Sequence, residues 1–201
     1  MTLSMASATL VVNTVSSSRL AIDKVVWGDN TSASPGVTTS SFSTALPNEL
    51  LLAFISADSG VSGGQTVTGV NGAGLNWVMV KRANGQPGDA EIWRAFATTA
   101  LSNVTITATL AQAMAASMTV VTFTGADWSG TNGSGAIGAT ASVSAASGVP
   151  SASLVTTRNN SWVFGVRTDW DRALGRTLGA NQTLVHQFLP SVGSTYWVQR
   201  H

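Results

Sequence analysis

Apolar and hydroxyl residues alternate without a break in Val104-Thr105-Ile106-Thr107-Ala108-Thr109-Leu110. A period of two turns one face of an extended strand toward a core and the other toward water, and a helix cannot satisfy it. Strands are expected at residues 9–15, 20–27, 49–56, 65–70, 75–82 and 90–96, then at 103–110, 117–124, 151–156, 161–166, 183–188 and 195–200. Between them stand turn-formers such as Gly28-Asp29-Asn30, Asn71-Gly72-Ala73-Gly74, Asn84-Gly85 and Pro87-Gly88-Asp89. Many short strands punctuated in this way predict an all-β, antiparallel two-sheet β-sandwich of jelly-roll or immunoglobulin-like type.

Individual segments refine this expectation. Leu50-Leu51-Leu52-Ala53-Phe54-Ile55 is apolar throughout, which suits a central strand covered on both faces. Residues 108–117 have a helix-like Ala and Met content, but the flanking β-branched residues favour loop or strand. Residues 125–150, rich in Gly, Ser and Ala, read as a long surface loop with a short edge strand near Ile137. The organisation expected is an N-terminal extension (1–18) followed by one sandwich domain (19–201).

Composition limits the chemistry. Charged residues are only 9% of the chain, against about a quarter in ordinary soluble domains, and 25 serines and 25 threonines stand in their place. A net charge of +1 without long single-sign runs gives no reason to expect nucleic acid as a partner. No apolar run approaches the roughly 18 residues of a membrane span. Cysteine is absent, which removes disulfides and thiolate chemistry and leaves the compartment open. The N-terminus has no basic residue before Arg19 and no apolar run of signal-peptide length, as expected of a mature chain whose export signal is removed or replaced, or of one never exported by that route.

The groups able to react are few. His186 falls in an alternating strand, His201 ends the chain, Tyr196 is the single tyrosine, and no G-x-S-x-G elbow occurs. No active site is expected, and no cofactor beyond a possible calcium ion. Asp169-Trp170-Asp171, flanked by Arg167 and Arg172, offers oxygens for calcium or, more plainly, carboxylates for the arginines. Trp27, Trp77, Trp93, Trp162 and Trp197 lie in expected strands and read as core. Trp128 and Trp170 fall in expected loops, where an indole beside Asp or Arg can stack on a sugar ring or anchor a partner. Lys24, inside an apolar strand, is a remote candidate for an internal isopeptide cross-link. Simple alternation would put Leu20, Ile22, Lys24 and Val26 on one face.

In order along the chain come Glu49-Leu50-Leu51-Leu52-Ala53-Phe54, Leu75-Asn76-Trp77-Val78-Met79-Val80, Ala90-Glu91-Ile92-Trp93-Arg94-Ala95, Thr122-Phe123-Thr124-Gly125, Ser161-Trp162-Val163-Phe164-Gly165-Val166 and Thr195-Tyr196-Trp197-Val198-Gln199-Arg200. This series resembles the β-sandwich modules of large bacterial secreted and surface multidomain proteins. The resemblance covers about residues 20 to 200 and implies fold, with no common catalytic motif to transfer. Such modules continue past the strand matching residues 195–200 with another strand that closes the sandwich, whereas this chain stops at His201.

An additional apolar segment, Ala8-Thr9-Leu10-Val11-Val12-Asn13-Thr14-Val15, precedes the matching part. It is a candidate to fill the vacant position, either in its own domain or in a neighbour's by donor-strand exchange, with Thr9, Leu10, Val11, Val12 and Val15 as the assembly strand. The function expected is therefore a non-enzymatic structural subunit of an extracellular fibre or surface assembly, a homo-oligomer or filament. The alternatives are an adhesive module binding polysaccharide through Trp128, Trp170, Asp169 and Asp171, or a structural protein of a phage virion.

Overall fold

The computed structural model describes residues 5–13 and 19–201. In chain order its strands are β1 (Met5–Val12), β2 (Ala21–Thr38), β3 (Glu49–Ala57), β4 (Val67–Gly72), β5 (Val78–Ala83), β6 (Asp89–Ala97), β7 (Ile106–Thr124), β8 (Ile137–Ala145), β9 (Trp162–Asp169), β10 (Thr183–Phe188) and β11 (Thr195–Arg200), with one 3₁₀ segment at Thr131–Ala136. They form two antiparallel sheets packed face to face, a β-sandwich. The first sheet has the order β10-β11-β9-β1-β8, and the second β2-β7-β3-β6-β5 with β4 added on β7. At the corners β2 meets β10, and β5 meets β8.

Alternation explains the layers. From β1, Ala6, Ala8, Leu10 and Val12 point into the space between the sheets, where they meet Leu50, Leu52 and Phe54 of β3, Phe123 of β7, and Phe164 and Val166 of β9. Phe164 stacks on Phe54 at 5.6 Å between ring centroids and meets Phe123 edge-on at 5.2 Å, so one aromatic cluster ties the sheets together. The opposite side of β3, with Leu51, Ala53 and Ile55, enters a second apolar cluster with Ile106, Ala108 and Leu110 of β7, Val67 and Val70 of β4, and Trp77. The apolar run of β3 is thus buried on both faces, as its sequence predicts. The expected edge strand near Ile137 is β8.

Several expectations need correction. Residues 103–110 and 117–124 are not separate strands. Residues 106–124 run as the single strand β7, its last half pairing with β3 and its first with β4, so residues 108–117 are strand, one of the two states their β-branched flanks favour. Residues 151–156 form no strand. Ala152 and Leu154 still turn inward while Ser151, Ser153 and Val155 face out, but no neighbour supplies a ladder. In β2 the register shifts between Ile22 and Val25, and this bulge turns both residues toward the main core. Lys24 therefore lies at the surface, 42% exposed and 3.7 Å from Asp23, and not buried beside an asparagine as an isopeptide requires. Trp27 is 47% exposed rather than core. It occupies the open corner between β2 and β10, where His186 stacks on it at 4.8 Å and hydrogen-bonds both carboxylate oxygens of Asp29 at 3.1 Å. Within the segment before residue 19, Met5–Val12 form β1, which pairs with β8 and β9 in the first sheet.

The second cluster encloses two acids. Glu91 accepts from the Val67 amide (2.8 Å), Arg82 Nε (2.6 Å) and Trp93 Nε1 (2.7 Å). Asp89, two residues earlier on the same side of β6, is buried, and neither of its carboxyl oxygens has a partner among the described residues. Burial, with the Glu91 charge adding to it, pushes its pKa up to about 9. The native state then holds a proton that the unfolded chain releases near the ordinary carboxylate value. Stability contributed by protonated Asp89 is complete below about pH 4 and is lost as pH rises toward 9, at up to about 1.4 kcal/mol per pH unit. Melting temperature measured across this window should fall more steeply for the native chain than for Asp89→Asn. Parallel curves would contradict the assignment.

Candidate functional site

All eight residues of β1 are buried, and the strand pairs on both sides. Met5 to Val12 run in register with Asp169 to Trp162 of β9, while Met5 to Leu10 oppose Ala145 to Thr140 of β8. Thr9, Leu10, Val11 and Val12 all lie in this strand; Val15 lies outside the described residues. The neighbouring strands are shaped for it. Opposite Thr9, β9 carries Gly165, where an added Cβ would stand 2.9 Å from Thr9 Cγ2. Against Val11, β8 carries Gly138, where an added Cβ would stand 3.0 Å from Val11 Cβ and Cγ1. Glycine costs a strand entropy and packing, so its use here marks close approach by a β-branched neighbour. Asn13 clasps the end: its N–H donates to Ala136 O (2.7 Å), its carbonyl accepts from Asp127 N (3.1 Å), and its Oδ1 accepts from Ser161 Oγ (3.0 Å).

The loop residues expected to share one ligand do not meet. Trp128 is 66% exposed, and it follows Asp127, whose N–H donates to Asn13 at the C-terminal end of β1. Trp170 follows Asp169, the register partner of Met5 at the other end of the strand. The length of β1, about 25 Å, separates the two sites. Asp127 is held at 2.5 Å by Arg158, and that hydrogen bond, ahead of those from Ser129, keeps its pKa below the usual carboxylate value. Asp169 is buried, ion-paired with Arg176, and accepts from the Asp171 amide at 3.1 Å, while Asp171 itself is exposed. The Asp-x-Asp pair therefore closes an arginine-held turn. Among the described residues no three acidic or histidine side chains are grouped to hold a metal ion.

Behind β1, on the side of the first sheet away from the core, lies a groove that sequence reasoning missed. Residues from segments 149–154 and 174–182 border this face and leave two adjoining hollows of about 280 and 470 Å³. Arg167, Gln182, Gln199 and Ala152 line both. Trp197, the register partner of Arg167 on β11, is buried with the Arg167 and Arg176 guanidinium groups 5.9 and 5.0 Å from its ring centre. Arg167 makes no ion pair among the described residues, and its partial burial lowers its pKa. The available signal was an arginine alternating with glycine on the outward side of an otherwise apolar strand, Gly165-Val166-Arg167.

Comparison with protein-family models, with curated proteins and with solved structures finds no match to this chain. The site is therefore read from its own geometry. The fit of Gly165 to Thr9 gives a direct check. Gly165→Val should destabilise the fold by about 1–3 kcal/mol through overpacking, and Thr9→Ala in the same chain should restore part of the loss. Additive effects in a denaturant-melting cycle would show that the two positions do not share space.

Proposed function

We propose that this chain is a non-enzymatic structural subunit of an extracellular fibre or surface assembly, joined to its neighbours by exchange of β1. The observation that carries the proposal is the position of β1: the first strand of the fold, inserted between β9 and the edge strand β8, and paired only with strands far along the sequence. Its slot recognises a sequence, through Gly165, Gly138 and the Asn13 clasp, and not a covalent connection. A β1 from a second copy would find the same partners, and the covalent link through residues 14–18 only raises the local concentration of the chain's own strand. Reciprocal exchange closes a dimer, while head-to-tail exchange propagates a filament. Low charge suits such packing, since self-repulsion between copies is weak.

Exposed Trp128 favours a second reading in which the subunit also adheres to a surface or glycan. That contact rests on Trp128 alone, since Trp170 stands at the opposite end.

The test is to refold the chain from denaturant at increasing protein concentration and follow particle mass by light scattering with negative-stain imaging. Exchange predicts that dimers and longer multimers grow with refolding concentration. It also predicts that a synthetic peptide of residues 1–13, added in excess, caps them. A particle of 20.6 kDa at every concentration, indifferent to the peptide, would contradict it.

A further inference from the structure

The groove behind β1 carries an unmet demand for acceptors. Ser7, Arg167 and Trp197 lie side by side across β1, β9 and β11, in register, on the outer face of the sheet. Ser7 is fully buried and its hydroxyl has no hydrogen-bond partner among the described residues; the buried Arg167 Nε and Arg176 Nε have none there either. Gln199 Oε1 accepts from Trp197 Nε1 at 3.0 Å and Gln182 Oε1 accepts from the Gly179 amide at 2.9 Å. Their two Nε2 groups are left as free donors among the described residues. Donors thus dominate the groove.

Charge points the same way. Neither hollow is lined by an acidic side chain. Asp169 nearby is committed to Arg176, which leaves Arg167 without a counter-charge among the described residues; Arg200 turns to the other side of the sheet, over the Trp162 ring. A cation drawn out of water without a counter-charge is costly, and a bound anion relieves that cost. A planar guanidinium is matched in shape by a carboxylate, which it can grip with two parallel N–H bonds. The amides and the Thr9 hydroxyl around it suit the ring hydroxyls and ring oxygen of a sugar, and the hollows are the size of a small-molecule site.

We propose that this groove binds a small hydroxylated carboxylate of the uronic-acid kind, with its carboxylate on Arg167 and its hydroxyls on Gln182 and Gln199. This binding role is separate from strand exchange and needs only a seated β1, whichever copy supplies it.

The experiment uses the full chain and titrates D-glucuronate, with glucose, acetate and sulfate as comparisons. It follows heat of binding together with the NMR signals of the arginine Nε–H groups. Glucuronate should bind saturably and move the Arg167 signal, and glucose should not. Arg167→Gln should weaken binding about tenfold or more, the loss expected for a charge-assisted pair, while Lys81→Gln on the other sheet leaves it unchanged. Because Arg167→Gln removes a partly buried unpaired cation, its cooperative melting should persist, which separates lost binding from lost fold. Equal affinity for acetate or sulfate would overturn the sugar-acid assignment. No saturable binding of any anion would overturn the site itself, leaving water to meet its donors.

Discussion

The ladders on the two sides of β1 hold the first sheet together. Take β1 away and β8 is left alone, parted from the β10-β11-β9 ribbon, with two unpaired edges facing an apolar gap. Leu10 and Val12 would leave the core they share with Phe164 and Phe123. The inward side of β1 is small at Ala6 and Ala8 and large at Leu10, filling the space beside the aromatic cluster of the two sheets. On the outward side, Thr9 and Val11 fit where Gly165 and Gly138 give room. A strand complementary on both faces and both edges could be supplied by its own chain or by another copy, and this is what supports the proposed assembly role.

Polar groups hold what the ladders do not. Gln65 is fully buried and satisfied: its Nε2 donates to Asp58 O and Gln112 O, and its Oε1 accepts from the Thr66 and Gln112 amides. Thr39 and Thr44 accept the Ile106 and Leu101 amides, and Thr168 donates to Asp89 O. Hydroxyls thus take up backbone groups where strands bend or end. This gives physical sense to a chain poor in charge and rich in serine and threonine. Exceptions to this satisfaction are confined to a few places, notably Asp89 in the second cluster and the donors of the groove.

Much of the fold was legible because it is written locally. The apolar run of β3, the alternation leading into β7, and the strands at residues 183–188 and 195–200 all follow from period and turn residues alone. What escaped depends on pairing at long range. No local signal tells that residues 106–124 form one strand bent between β3 and β4, or that residues 151–156 keep their alternation without a partner. The bulge after Ile22 reverses the faces of β2 and leaves Trp27 at a corner. β1 was visible as a spare apolar segment, whereas Trp128 and Trp170 looked equivalent only because their distance apart is set by the length of β1. The groove was hidden because Ser7, Arg167 and Trp197 become neighbours only through register.

The most direct test of β1 as the keystone is native-state amide hydrogen exchange. If the first sheet depends on it, the amides of Ala6 to Leu10 exchange only through global unfolding, with the same free energy as those of Leu52 in β3 and Val121 in β7. Exchange of the β1 amides through a separate low-energy opening, with β9 and β11 still protected, would show that the sheet stands without β1 and would contradict this account.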